Sequence, residues 1–461
     1  MDFFFKDLGP LSSASISLNN LTIICGKNNT GKTYINYAIY GFYSSLYEIL
    51  AKTIQKSNFI VSEDNTCSID IKNVFNSLDI INNTVLNTYA SEVSSKVFNS
   101  NDKSFENFKI TYKNLSKPLE LDTFISFYKN LMKDFTSKSF PTLFIKEENY
   151  VLYLLNDTDS FSCDLECSIL EKTLVTTIYN LLFNVNFNTF IIPAERSGLN
   201  LLFKELNQNR NDLIYNINSL SISALKNQIS QYPLPIKNYL NFLNEDLPKY
   251  SSTSNFASDF SDISLSLEKD VVGGSYIIND DNTIEFAVNT TNKKGKLIDF
   301  HLASSTARTL FGLDLYIKYK IKKGDLLVID EPELNLHPDN QRKIARVIAK
   351  LVNRGVNVLI STHSDYIIKE FNNLIMLSSP FEHNSILRKK YNYMDDEILN
   401  ENSVTAYVSN GTTIEKSEMN IEGIIINSFD DIINSYNKSS DEIYYSYLED
   451  MNLWLILSTS Y

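Results

Sequence analysis

Apolar and polar positions fall into short blocks whose period changes along the chain. Residues 16–18 and 21–25 are compact apolar runs separated by Asn19-Asn20, which predicts two strands joined by a turn. Over 34–50 the apolar residues recur at helical spacing, so a helix follows a glycine-containing loop directly after the second strand. Residues 51–190 alternate polar Asn/Ser stretches with helical patterns, such as 105–134, and include a strand-like run at 150–155. A strand at 189–192 ends in Pro193-Ala194-Glu195-Arg196-Ser197-Gly198. Leu199, Leu202, Leu206, Leu213, Ile217 and Leu220 then fit parts of a seven-residue repeat, and the run stops at Pro233 and Pro235. That length suits a short helical hairpin or lid.

In the second half, runs at 276–278, 284–288 and 297–302 are separated by Asp280-Asp281-Asn282 and Lys293-Lys294-Gly295, which reads as a β-meander. A helix over 305–320, a strand at 326–329, a helix over 338–353, a strand at 356–361 and a helix after Ser364 come next. That succession is α/β with a mostly parallel sheet. One more strand-like stretch lies at 404–408, and no internal repeat is present. The pattern divides the chain into a head (1–50 and 268–380), a mixed, mainly helical insertion (51–188), a strand and helical arm or lid (189–267), and a C-terminal appendage (381–461).

Composition narrows the classes. With 461 residues the chain suits a large domain with an insertion, or two to three domains, and its 43% hydrophobic content is ordinary for a soluble globular protein. No apolar run approaches the roughly 20 residues that span a bilayer. Phe3, Phe4 and Phe5 lack the flanking features of a secretory leader, so a cytoplasmic protein with no membrane partner is expected. A net charge of -13 excludes a uniformly basic nucleic-acid coat and leaves room only for a local basic groove. Cys25, Cys67, Cys163 and Cys167 form no Cys-x-x-Cys pair and have no nearby histidine, so they are expected to be inert buried thiols.

Four segments carry candidate chemistry. Gly26-Lys27-Asn28-Asn29-Thr30-Gly31-Lys32-Thr33 matches G-x-x-x-x-G-K-[ST] between a strand and a helix. The glycines allow a nest of backbone N–H groups around phosphates, and the helix N-terminus favours the same anions. Lys32 would serve the β- and γ-phosphates, and Thr33 would place a hydroxyl on magnesium. Leu326-Leu327-Val328-Ile329-Asp330-Glu331-Pro332 is a buried-strand pattern ending in two carboxylates, at the edge where open α/β sheets bind ligands. Asp330 would hold magnesium, and Glu331 would act as general base toward water. Ile360-Ser361-Thr362-His363-Ser364 follows another apolar strand, and His363 there can sense a γ-phosphate. Ala303-Ser304-Ser305-Thr306-Ala307-Arg308 opens a helix, as an anion site or as an ordinary N-cap.

In this order, with Glu333-Leu334-Asn335-Leu336-His337-Pro338 after the acidic pair, the motifs resemble the ABC ATPase heads of the SMC, RecF and OLD-like group. They are similar in particular to AAA-labelled ATPases of prokaryotic anti-phage defence systems. The resemblance covers 1–50 and 190–380, and the Ile192 to Gly198 run also resembles a segment common in that group. It implies a P-loop NTPase fold of the ABC-head type: a mostly parallel sheet, an antiparallel β-subdomain, and a helical insertion between Walker A and the signature. It further implies ATP and Mg2+ as ligands, Glu331, His363 and Lys32 as catalytic residues, the 333–338 segment as D-loop, and Ser304 and Ser305 as signature residues contacting ATP across a homodimer. Ser304-Ser305-Thr306 departs from the usual Leu-Ser-Gly-Gly-Gln, and no Q-loop glutamine is assigned. Glu195 and Arg196 either approach the nucleotide or form a structural ion pair.

Two functions fit the resemblance. One is an ATP-driven sensor or regulator of a separately encoded nuclease or toxin in anti-phage defence; the segment after residue 380 has no Asp-x-Asp of the Toprim nuclease kind. The other is a DNA-repair or chromosome-associated ATPase that binds DNA, for which Lys318, Lys320, Lys322 and Lys323 offer a modest basic cluster. A solvated helix end accounts for those lysines equally well.

Overall fold

The computed structural model describes residues 1–55, 60–63, 66–113, 119–139, 143–148, 151–156, 163–215, 232–247, 258–289, 296–420 and 423–450. A nine-stranded sheet forms the centre. Its order is Lys109–Lys113, Asp2–Leu8, Leu11–Ser17, Thr413–Lys416, Val404–Ser409, Leu21–Gly26, Asn357–Thr362, Leu326–Asp330 and Thr189–Ile192. The last five run parallel to one another, and antiparallel pairs dominate the other side. The meander Gly274–Ile278, Ile284–Val288 and Leu297–Asp299 makes a separate antiparallel sheet, as its turn residues predict. Four short strands between residues 60 and 156 make another.

The parallel strands are continuous apolar runs because both of their faces are covered. Leu21, Ile23, Leu327, Ile329, Val358 and Ile360 face one core, shared with helices Ser305–Tyr319, Pro338–Asn353 and Asp365–Met376. Ile24, Leu326, Val328 and Leu359 face the other, shared with helix Lys32–Gln55 and the helical parts of the insertion. The strand period of two thus sends alternate residues of one strand into two cores. Among the described residues, no helix is long and apolar enough to cross a membrane.

Several expectations shift. Residues 381–461 do more than append: Val404–Ser409 lies beside Leu21–Gly26, and Thr413–Lys416 bridges to Leu11–Ser17. Thr189–Ile192, expected at the base of an arm, is the edge strand beside Leu326–Asp330. Within 105–134, expected to be helical, Lys109–Lys113 is a strand on Asp2–Leu8, and the helix starts only at Leu121. Asp2–Leu8 itself pairs on both sides and buries Phe3, Phe5 and Leu8. Of the heptad positions, Leu213 lies in helix Arg196–Tyr215, whereas Ile217 and Leu220 fall outside the described residues. Cys25 is a free, buried thiol pushed up by burial; the side chains of Cys67, Cys163 and Cys167 fall outside the described residues.

Candidate functional site

Strand Leu21–Gly26 ends in the glycine loop, and helix Lys32–Gln55 starts where the loop ends. The loop needs its glycines. Gly26 has φ +152° and Gly31 φ +87°, and a Cβ would stand 2.7 Å from the Ser409 carbonyl at Gly26 and 2.8 Å from Leu11 at Gly31. Asn29 takes φ +61°, which asparagine tolerates better than most residues. Thr30 Oγ1 donates to the Lys27 carbonyl at 2.8 Å, and the Ser409 hydroxyl donates to the Thr30 carbonyl. Lys27, Asn28 and Asn29 are exposed at the tip. Lys32 is buried, and its Nζ donates to the carbonyls of Gly26 at 2.8 Å and Lys27 at 2.7 Å. Burial lowers the Lys32 pKa, while Glu331, Asp330 and Glu333 pull it back up. An ammonium resting on loop carbonyls, with carboxylates near, can transfer to an incoming polyphosphate.

The acidic strand reaches the same place. Asp330 and Asn36 lie 294 positions apart, yet Asn36 Nδ2 donates to Asp330 Oδ1 at 3.1 Å. The Ser361 hydroxyl donates to the same oxygen, because Ser361 is the register partner of Asp330 in the adjacent strand. Burial pushes the Asp330 carboxyl up to about 6; the hydroxyls of Ser361 and Thr33 pull it down, and Glu331 and Glu195 push it up. Asp330 Oδ2 and Asn36 Oδ1 are buried with no hydrogen-bond partner among the described residues. Buried polar oxygens are normally satisfied. Hard oxygen donors left open beside the Thr33 hydroxyl are what a magnesium ion takes, directly or through water. The residues present therefore fit Mg2+.

Glu331 leaves the strand in a left-handed turn, φ +51°, with its N–H donating to the Ser361 carbonyl at 3.1 Å. Its carboxylate is partly open, and Oε1 lies 3.7 Å from His363 Nδ1. Glu333 is buried; one oxygen accepts from Thr362 Oγ1 at 2.8 Å and the His363 N–H at 2.7 Å, and lies 3.2 Å from His363 Nδ1. Burial raises the Glu333 pKa, and the His363 amide lowers it. Lys32, Thr33, Asp330, Glu331 and His363 are thus one cluster.

Ser304 and Ser305 are not part of it. Both are exposed, Ser304 Oγ caps Ala307 N–H at 3.1 Å, and no hydrogen bond among the described residues ties either side chain to the loop. Thr306 Oγ1 instead reaches the Asn335 carbonyl at 3.4 Å, linking the expected signature to the expected D-loop.

Asn36, Ser361, Glu333 and Arg196 complete the site; Ser361, Glu333 and Arg196 lie in segments singled out from sequence without an assigned role of this kind, and Asn36 was not singled out. Asn36 sits one helical turn after Thr33, and Ser361 stands level with Asp330 once the strands pair; both follow from spacing. Arg196 forms no ion pair among the described residues; its guanidinium binds the carbonyls of Asp330 and Glu331. Glu195 accepts from the Tyr37 hydroxyl at 3.2 Å, close enough to Asp330 to raise its pKa.

The family described as AAA ATPase domain matches residues 6–368. No curated protein matches the chain. Among solved structures, the Smc head domain with an extended coiled coil bound to the C-terminal domain of ScpA, from Pyrococcus furiosus, is similar at 11% identity, covering 95% of this chain and 98% of that one, with a TM-score of 0.28. The SMC head domain from Thermotoga maritima is similar at 10% identity over 90% of this chain and 98% of that one, with a TM-score of 0.29.

Proposed function

The chain belongs to the AAA ATPase domain family and is an ATP-hydrolysing P-loop enzyme, and we propose that it is a switch in which ATP joins two copies and hydrolysis parts them. One observation carries this reading. The phosphate and acid residues converge within one chain, while Ser304 and Ser305 stay exposed and unbonded to them. A second copy would bring its Ser304, Ser305 and helix N-terminus to the γ-phosphate.

In this reading Lys32 leaves the Gly26 and Lys27 carbonyls for the β- and γ-phosphates, and the backbone N–H groups of 26–33 cradle the rest. Thr33 and Asp330 hold Mg2+, which when bound offsets charge on the phosphate oxygens. Glu331 takes the proton of the attacking water, and His363 contacts the γ-phosphate. ADP and phosphate leave, the contact across the two copies is lost, and the motion is the output. The output passes to a separate effector, a nuclease or toxin, in anti-phage defence; the motif resemblance supports that setting. DNA binding is the weaker alternative, because Lys318 pairs with Glu268 and Lys320 with Asp246, leaving Lys322 and Lys323 as the members of the basic cluster with no carboxylate partner among the described residues.

The test is gel filtration of Glu331→Gln with Mg–ATP. The variant is expected to bind ATP, hydrolyse it at least ~100-fold more slowly, and elute as a dimer. A nucleotide-saturated variant that elutes as a monomer sinks the switch.

A further inference from the structure

We propose that Arg196 is a positioning residue for hydrolysis, holding the backbone turn that aims Glu331. The proposal rests on the assignment of Glu331 as the base. It starts from an expensive arrangement. Arg196 is 1% exposed, burial lowers its pKa, and among the described residues no carboxylate pairs with it. Buried guanidinium groups usually have such a partner. All the donors accounted for go to backbone oxygens: Nη1 to the carbonyls of Pro193 at 3.1 Å and Asp330 at 2.7 Å, Nη2 to the carbonyl of Glu331 at 2.6 Å.

The sequence brings this about. Thr189–Ile192 and Leu326–Asp330 pair in parallel with Ile192 level with Ile329, so both chains leave the sheet at one edge. Pro193 makes the turn, and helix Arg196–Tyr215 begins at the arginine itself. The planar fork of a guanidinium can serve two adjacent carbonyls together, which an ammonium cannot match in geometry.

What the fork holds is strained. Glu331 has φ +51°, a region costly for a side chain with a Cβ, and such residues persist only where their surroundings over-determine them. Two restraints meet here. The Glu331 N–H is fixed by the Ser361 carbonyl, and the carbonyls on either side of its Cα are fixed by Arg196. Without the fork, the turn is free to relax toward negative φ and swing the carboxylate away from Lys32 and His363. A base displaced by about 1 Å loses on the order of 100-fold in rate.

The experiment uses the full chain with Arg196→Met and Arg196→Lys, measuring Mg–ATP affinity by displacement of a fluorescent nucleotide and hydrolysis by single turnover. For Arg196→Met the expected result is a rate ~100-fold lower with affinity within about threefold of the parent. Arg196→Lys, which keeps a buried cation and loses the fork, falls between them. In a Glu331→Gln background, Arg196→Met should cost no more than about threefold further, because the two residues act on one step. A rate within threefold of the parent overturns the proposal. So do affinity and rate falling together, or a further ~100-fold loss on top of Glu331→Gln. If Arg196→Met does not fold, Arg196→Lys yields the same readouts. If Glu331→Gln alone hydrolyses at the parental rate, it is the base assignment that fails; a slow Glu331→Gln beside an unaffected Arg196→Met sinks only the role of Arg196.

Discussion

Asp330 shows how the site trades stability for chemistry. Its carboxyl is wholly buried and pushed from 3.8 up to about 6, so between those values the folded chain holds a proton that the unfolded chain releases. The folded state binds more protons in that window, and stability therefore falls as pH rises from about 4 to about 6 and stays lower above it. The loss is about 3 kcal/mol at pH 7, from roughly 1.4 kcal/mol per pH unit. Asp330→Asn keeps an oxygen for the Asn36 and Ser361 donors and removes the charge. In metal-free, nucleotide-free buffer its urea midpoint should exceed that of the parent at pH 7.5, and the gain should vanish by pH 4. A lower midpoint at pH 7.5 would contradict a buried carboxylate held at a cost. Hydrolysis should be lost in the same variant, as expected where a function requires an unfavourable group.

Three helices meet at a glycine. On helix Ser305–Tyr319, a Cβ at Gly312 would lie 1.8 Å from the Tyr239 hydroxyl, which donates to Asn200 Oδ1 at 2.7 Å; Asn200 Nδ2 in turn holds the Arg308 carbonyl at 2.7 Å. Gly312→Ala should gain up to ~1 kcal/mol of helix propensity and lose more to overpacking, typically about 1–3 kcal/mol. The expected outcome in thermal melting is a lower Tm that Tyr239→Phe partly restores, since it removes the nearest atom. Full recovery is not expected, because Tyr239 Cζ would still stand 2.7 Å from the new methyl. Gly312 was not singled out by sequence, for its role depends on a helix beginning 78 positions earlier, at Leu234, after Tyr239's own chain has folded back. Elements with strong local signals were legible: the loop strand, Pro338–Asn353 behind its proline, the acidic strand, and the meander between its turns. Strand order was not. Nothing local to Val404–Ser409 says that it lies beside Leu21–Gly26, and pairing across the chain is decided by burial. Lys109–Lys113 alternates cleanly, buried at Ile110 and Tyr112, but is too short to stand out against helical spacing on either side. In Asp2–Leu8 the outward Phe4, 46% exposed, breaks the alternation that Phe3 and Phe5 set up.

Across the whole molecule, the distribution of parts separates one-chain from two-chain catalysis. Residues of the glycine loop and of the acidic strand, from both ends of the family match, meet at the C-terminal edge of the parallel strands, supported from beneath by Ser409, which lies outside that match. Ser304 and Ser305 stay on the surface. If each site is built from two copies, a defect in the loop and a defect in the signature should complement in trans. Lys32→Ala and the double variant Ser304→Ala/Ser305→Ala should each be inactive alone, the first for want of nucleotide and the second for want of the hydroxyls that face the γ-phosphate from the other copy. Mixed in equal amounts, half of a randomly assorted dimer population pairs an intact loop with an intact Ser304–Ser305, giving one working site of two. Hydrolysis should then recover to roughly a quarter of the parental rate per chain, since a two-fold interface presents the same patches on both copies. Phosphate release from the mixture, against each variant alone at the same total concentration, provides the measurement. A mixture no more active than its two components would mean that one chain completes its own site, and the exposed serines would then be no more than a helix cap.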